Sequence, residues 1–223
     1  MNRILKYFIT SLAIIFSAAA QPSASFYFTT AIPAGEFSNY NKNLGFGGNL
    51  EFFLFTPSPK TPYGLGMDFS YTSYGLFFHT DPYTDELSLS SDKANNFVSA
   101  HILFQVAPYS GNVRPYLETL FGGSYIFSIT DIGYDYYSDE TLNLNDWAWS
   151  YGAGFGIKFL TSGDPYFNPG SVYLDLKICY LFSSPTTYLD KSSIEYYNDA
   201  VYYSLNKSRT DMVTASIGVY VFF

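Results

Sequence analysis

The segment Ser171–Phe182 alternates strictly between apolar and polar side chains, and this period of two limits the possible folds more than any other feature of the chain. One face carries Val172, Leu174, Leu176, Ile178, Tyr180 and Phe182, and the other carries Ser171, Tyr173, Asp175, Lys177 and Cys179. Successive side chains of a β-strand point to opposite faces. The pattern therefore predicts a strand between apolar surroundings and a polar interior.

Composition indicates that the apolar surroundings are lipid. Aromatic residues make up 21% of the chain and charged residues only 13%, whereas soluble domains average about 25% charged residues. No apolar run long enough for a spanning helix follows residue 20, and a membrane protein without such a helix must be a closed barrel. We predict an all-β fold, an eight-stranded antiparallel up-and-down transmembrane β-barrel.

Eight segments have the alternating pattern, and most of them reach the ~9–11 residues that a tilted membrane strand needs. Connections that are short and rich in Pro, Gly, Ser and Asn alternate with longer ones, the longest at Ser183–Asp211. The short connections are Thr56–Pro62, Pro108–Pro115 and Ser162–Gly170. The predicted strands are Ser25–Ile32, Leu44–Phe55, Tyr63–Phe78, Asn96–Ala107, Tyr116–Ile132, Trp147–Thr161, Ser171–Phe182 and Met212–Phe223.

Residues 1–20 are predicted to be a secretory signal peptide, and residues 21–223 to be the barrel. Arg3 and Lys6 precede the mostly apolar Tyr7–Phe16, and Ala18–Ala20 supplies small residues for cleavage before Gln21. The alternative is an uncleaved anchor, but the apolar run is shorter than the ~20 residues that a spanning helix needs. We expect an integral protein of the bacterial outer membrane, in contact with its lipid, whose N- and C-termini are both periplasmic because the strand number is even.

The charge of the mature chain excludes nucleic acid as a partner. The signal carries two of the eleven basic residues, which leaves nine against nineteen acidic residues, a net charge of −10. Such a chain offers no basic patch to phosphates. Cys179 is the only cysteine, so it forms no internal disulfide, and we interpret it as a small filler side chain.

Six charged residues are predicted to face the barrel interior at a similar depth: Glu51, Asp68, Glu118, Lys158, Asp175 and Lys177. Glu118, Lys158 and Asp175 lie on consecutive predicted strands and could pair as a ladder. One interpretation of the six charges is an ion gate or a narrow pore. The other is a structural charge network, because an eight-stranded barrel has little room beyond its own side chains. A charge in either setting must be paired or hydrated.

The sequence predicts no catalytic, cofactor-binding or metal-binding residue. His79, followed by Asp81, lies near the outer rim, and His101 faces the interior; a hydrolase would need a serine beside one of them. The long connections are acidic and rich in tyrosine, which favours a recognition surface, although girdle residues and solubilising charges are an alternative. The acidic residues of these connections lack the spacing of an EF-hand loop, which disfavours a calcium site there. These loop residues are Tyr134, Asp135, Tyr136, Tyr137, Asp139, Glu140, Tyr188, Asp190, Glu195, Tyr196, Tyr197, Asp199, Tyr202 and Tyr203.

The last eight residues resemble the β-signal of outer-membrane proteins: polar Ser216, Gly218 two residues later, hydrophobic Val221 and the terminal aromatic Phe223. The mature chain also resembles the small OmpA/OmpX-like barrels, including those of Bacteroidetes-type bacteria, in Ile32–Phe37 and in Arg114–Glu118 followed by Gly122-Gly123. The resemblance implies recognition by the barrel-assembly machinery.

We therefore expect a non-enzymatic envelope protein that needs no cofactor. Its loops would serve adhesion or partner binding, or the protein would support the envelope. A narrow passive porin-like channel is the second hypothesis, and a hydrolase at the rim is the third.

Overall fold

A computed structural model describes residues 22–75, 77–80, 87–90, 93–132, 140–190, 193, 195–197 and 200–223 of the chain. Eight strands close into a single antiparallel barrel: β1 (Ser23–Pro33), β2 (Gly45–Phe55), β3 (Tyr63–Tyr74), β6 (Lys93–Val106), β7 (Val113–Ile132), β8 (Glu140–Ser162), β9 (Val172–Ser183) and β14 (Met212–Phe222). The described parts of the long connections contain three small hairpins and one helix: β4 (Phe77–Thr80) with β5 (Leu87–Ser90), β10 (Pro185–Leu189) with β13 (Leu205–Arg209), β11 (Glu195–Tyr197) with β12 (Ala200–Tyr202), and α1 (Phe37–Tyr40).

The predicted fold class is confirmed, and each predicted strand corresponds to one barrel strand. The predicted strand Tyr63–Phe78 is too long, because Gly75 has a φ of 135° and takes the chain out of the barrel after Tyr74. The predicted start at Trp147 is too late, since β8 already begins at Glu140. The polar residues at its start are unlike a lipid-facing strand, which is why the membrane pattern did not include them.

The short connections all lie at one end of the barrel, called here the short-turn end, and the others lie at the long-loop end. The predicted turn Pro108–Pro115 is shorter than expected, because β7 begins at Val113 and Pro115 pairs with Ile157 of β8. On its other side β7 meets β6 only from Leu117 onward. Pro115 thus occupies an edge position, where its missing N–H does not remove a hydrogen bond between strands.

Alternation along the strands separates an apolar outer face from a polar inner face. Large apolar side chains on the outer face remain accessible, as in Phe28 with 68% and Leu117 with 65% exposure. The inner face is filled with buried side chains, among them every one of the six charged residues that were predicted to lie inside. No helix in the described part of the chain is long and apolar enough to cross a membrane.

The barrel closes where β1 meets β14 in an unbroken register from Ser23–Phe222 to Pro33–Met212. The β-signal residues Ser216, Gly218 and Val221 lie in this last strand, and Ser216 Oγ is 2.9 Å from Thr29 Oγ1 of β1. Phe223 follows the strand, is 65% exposed, and donates its backbone N–H to the carbonyl of Pro22.

Candidate functional site

The barrel interior is the candidate site, because its strands bring together charged side chains from distant parts of the sequence. The first group, called here the Lys177 cluster, consists of Lys177, Glu51 and Glu118. The Lys177 ammonium forms an ion pair and hydrogen bond with Glu51 and lies 3.5 Å from Glu118 Oε1. All three side chains are at most 3% exposed. One ammonium thus forms ion pairs with two buried carboxylates.

Hydroxyl groups complete the surroundings of this cluster. Tyr27 donates toward Glu51 Oε2 at 3.2 Å and Asp175 Oδ2 at 2.8 Å, and Ser25 donates to Glu51 Oε2 at 3.1 Å. The Lys177 ammonium also lies 4.4 Å from the centre of the Tyr27 ring. Asp175 accepts a second hydrogen bond, of 2.8 Å, from the hydroxyl of Tyr116. Tyrosine and serine hydroxyls therefore hold the carboxylates of Glu51 and Asp175, and the cation pairs with Glu51 and Glu118.

Lys158 donates its hydrogen bond to an amide oxygen and not to a carboxylate. Its ammonium donates to Gln105 Oε1 at 2.7 Å and lies 3.6 Å from the centre of the Tyr220 ring and 4.6 Å from that of Tyr116. The expected ladder of Glu118, Lys158 and Asp175 is therefore wrong in its pairing, because Glu118 contacts Lys177 instead. Lys158 and Asp175 are register partners, but Tyr27 and Tyr116 bind the Asp175 oxygens.

A second group, called here the Asp68 chain, runs through Asp68, His101, Ser150, Ser124 and Ser99. His101 Nδ1 lies 3.1 Å from Asp68 Oδ1, and His101 Nε2 lies 2.6 Å from Ser150 Oγ. Ser150 Oγ is 3.0 Å from Ser124 Oγ, which is 2.8 Å from Ser99 Oγ. Asp68, His101 and Ser150 thus have the order of an orienting carboxylate, a base and a nucleophile.

Burial separates the Asp68 chain from a working hydrolase. Asp68, His101 and Ser150 are 1%, 4% and 3% exposed. A serine nucleophile needs space beside its oxygen for an acyl group, with donors for the oxyanion. The described interior leaves a cavity of only about 20 Å³ beside Asp68, so the Asp68 chain links β3, β6, β7 and β8 within a packed interior.

Both ends of the interior are closed by aromatic clusters. At the long-loop end, Phe37 of α1 is fully buried, and its ring lies 5.2–5.8 Å from the ring centres of Tyr74, Phe97 and Tyr188. At the short-turn end, the guanidinium of Arg114 lies 4.6 Å from the ring centre of Tyr173 and 5.3 Å from that of Phe222. Among the described residues, these aromatic clusters lie across both ends of the barrel interior.

The closure at the short-turn end is fixed by the connection between β8 and β9. Arg114 donates to the carbonyl of Pro165 at 3.1 Å and to Asn168 Oδ1 at 2.8 Å. The backbone N–H of Gly111 also donates to Pro165, at 2.9 Å, which joins two turns across this end. Arg114 opens the segment Arg114–Glu118 that resembles other small barrels, but no local sequence pattern indicates its role in this closure.

At the long-loop end, Asp146 attaches the β10–β13 hairpin to β8. Its carboxylate accepts the backbone N–H groups of Thr187 and Trp147 at 2.7 and 2.8 Å. The hydrogen bond from Thr187, which has the larger effect, and the one from Trp147 lower the pKa of Asp146 below its ordinary value. Burial raises the pKa of Tyr188, whose hydroxyl lies 2.8 Å from Ser208 Oγ.

Several predicted loop residues lie outside the described part of the chain. They are Tyr134, Asp135, Tyr136, Tyr137, Asp139 and Asp199. Asp81 and residues 1–20 also lie outside it. Only the backbone is described for His79, which pairs with Ser88. Among the described loop residues, Tyr202 and Tyr203 are 56% and 41% exposed, whereas Tyr188 is buried. The described residues contain no group of histidine, cysteine, aspartate and glutamate side chains that could hold a metal ion.

Comparison with known proteins adds evidence on the fold only. No protein-family model and no curated protein matches the chain. Among solved structures, a major outer membrane protein from Thermus thermophilus is 14% identical with a TM-score of 0.50, over 90% of this chain and 99% of that one. Neisserial surface protein A is 16% identical with a TM-score of 0.49, over 91% and 96%. At 14% identity, the likeness to the Thermus protein supports a shared barrel fold and nothing further.

Proposed function

We propose that this protein is an integral outer-membrane barrel of the OmpA/OmpX-like type that acts through its exposed surfaces and does not conduct solutes. The observation that carries the proposal is the combination of an apolar outer face with an interior closed at both ends. An outward apolar band suits lipid contact, and internal pairing offsets part of the cost of removing the charges from bulk water. The long-loop end is then extracellular and both termini are periplasmic.

A contact role follows from what the long-loop end displays. Tyr202, Tyr203 and Leu205 are exposed on the last long connection, and Tyr40 is 54% exposed on the first. Tyrosine offers large contact area at a low cost in side-chain entropy. We propose adhesion or binding of an envelope or extracellular protein at this end, with support of the envelope as the simplest alternative. Biogenesis would use the signal peptide and, through Ser216–Phe223, the barrel-assembly machinery.

The absence of conduction is tested in planar lipid bilayers. The mature chain, residues 21–223, is refolded into vesicles, its insertion is checked by protection of the strands from protease, and the vesicles are fused to the bilayer. We expect a current equal to that of protein-free lipid. Stepwise conductance from the inserted protein would overturn the proposal and favour the narrow channel.

The hydrolase hypothesis has a specific observation in its favour, the geometry of Asp68, His101 and Ser150, and so needs its own test. A fluorophosphonate probe reports a reactive serine by covalent labelling. We expect no labelling of the folded barrel, and the variant Ser150→Ala provides the matched control. Labelling of the native protein that this variant abolishes would contradict a non-enzymatic role.

A further inference from the structure

A small enclosed cavity lies inside the barrel between the Lys177 cluster and the Asp68 chain. Its volume is about 20 Å³. Polar side chains from six strands line it: Thr29, Asn49, Asp68, Ser99, Lys177 and Thr214. Apolar cavities of proteins stay dry, whereas polar ones of sufficient size hold water. The rest of the lining is mostly apolar and includes Phe97, Leu120, Cys179, Leu181 and Met212. A ligand of the cavity would therefore be held on its polar side.

One lining atom has a hydrogen-bonding capacity that its neighbours do not use. Asn49 is 9% exposed, and its Oδ1 has no partner among the described residues. The Nδ2 atom of the same amide donates to Asp68 Oδ2. This bond fixes the orientation of the amide, because a flipped amide would place its oxygen against a carboxylate. Oδ1 therefore requires a donor from elsewhere, since a buried acceptor without one costs about 1–3 kcal/mol.

The size and charge of the cavity restrict the ligand to a single small neutral donor. One water molecule needs roughly 10–15 Å³ of cavity volume, whereas an organic molecule needs many times more. A metal cation is disfavoured because the ammonium-bearing Lys177 lines the same cavity. Water can accept from Lys177 while it donates to Asn49 Oδ1 and Asp68, which gives it the three hydrogen bonds typical of buried water.

We propose that this cavity is a binding site for one ordered water molecule that joins the Lys177 cluster to the Asp68 chain. The water donates to Asn49 Oδ1 and bridges Lys177 to Asp68. The two groups then form one continuous hydrogen-bonded structure across the barrel interior. This role is independent of any partner at the loops and goes beyond the proposed function, which requires only that the interior be closed.

A crystal structure of the refolded mature chain at a resolution that shows ordered solvent tests the proposal. We expect one solvent peak within hydrogen-bonding distance of Asn49 Oδ1 and of Lys177 Nζ. A cavity without a peak, or one filled by the side chain of Met212 or Leu181, would overturn the site. Crystals soaked in rubidium chloride add a second criterion, because an anomalous peak in the cavity would identify a cation and contradict the assignment to water.

A pair of variants connects the peak to the residue that is argued to hold it. Asn49→Leu removes the acceptor and fills part of the cavity, so the solvent peak should be lost while the Lys177–Glu51 pair remains. Ser128→Ala, a change at a buried residue that does not line the cavity, should retain the peak. Loss of the peak in both variants, or in neither, would refute the role of Asn49. If Asn49→Leu does not fold, the native structure alone decides.

Discussion

Lys177 is the residue on which the buried charges of this barrel depend most. Its ammonium is the cation nearest to both Glu51 and Glu118. Neither oxygen of Glu118 has a hydrogen-bond partner among the described residues. Removal of the ammonium would leave two carboxylates in the interior without a paired cation. A buried ion pair adds little net stability over apolar packing, but a broken one is costly.

We predict that Lys177→Met lowers the free energy of unfolding by about 3–5 kcal/mol, because one partner of a buried pair is lost. Urea unfolding of the barrel in lipid vesicles measures the change. Lys60→Met, at an exposed residue in a turn, is the matched control and should alter stability by less than about 0.5 kcal/mol. Equal stability of the two variants would show that the Lys177 cluster is hydrated and not buried.

Gly156 is required for a different reason, since its missing side chain makes room for Tyr116. A Cβ atom at this position would lie 2.3 Å from Tyr116 Cζ. Tyr116 would have to move, and its hydrogen bond to Asp175 would be lost. Gly48 has no such neighbour, because a Cβ there would come no closer than 3.3 Å to another atom.

We therefore expect Gly156→Ala to destabilise the barrel by about 1–3 kcal/mol, the usual cost of overpacking. Gly48→Ala is the control and should stay within about 0.5 kcal/mol of the native stability. The same urea titration compares the two. A mild effect of Gly156→Ala would mean that the ring of Tyr116 is not held against the strand.

At the scale of elements, the long connections are organised by a few contacts that the sequence pattern could not indicate. Strands follow from local alternation, and the eight predicted segments were found for that reason. The helix α1 has only four residues, too few for a periodic signal. Asp146 and Phe37 contact residues that are more than 30 positions away along the chain. Such contacts leave no pattern in the neighbouring sequence.

Phe37 is the residue of α1 that closes the long-loop end, and its replacement should loosen this closure. Phe37→Ala removes a fully buried ring, a change that costs about 3–5 kcal/mol in a packed core. We predict faster proteolytic cleavage in the first and last long connections of the variant. Tyr40→Ala, at an exposed ring of the same helix, should be cleaved at the native rate. Equal cleavage of both variants would contradict the assigned closure.

Asp146 makes the attachment of β10 sensitive to acid. Its pKa is lowered in the folded protein, so its contribution to stability is present above the ordinary aspartate value of about 3.9 and is lost as the pH falls through the lower, folded value. We predict that hydrogen exchange of the Thr187 amide, corrected for its intrinsic rate, accelerates below about pH 4. Asp146→Asn should exchange roughly 5- to 10-fold faster at neutral pH and lose this acid response. A native protein without the response would refute the attachment.

At the scale of the whole molecule, the period of two predicted the barrel and the side on which each charge lies, because both follow from strand geometry. It could not predict which charges pair. The actual partners depend on strand tilt and side-chain length, which place Lys177 near Glu118 and leave Lys158 with Gln105. His101 was placed inside correctly, yet its contacts with Asp68 and Ser150 needed the three-dimensional register of β3, β6 and β8.

The most direct test of a closed transmembrane barrel is the electrophoretic mobility of the refolded mature chain before and after boiling. A closed barrel resists detergent until it is heated, so the unheated sample should migrate as a compact, faster band and the boiled one at the mass of the unfolded chain. Circular dichroism of the unheated sample should show β-structure. Identical mobility before and after boiling, with a helical spectrum, would contradict the barrel and every inner and outer face assigned to it.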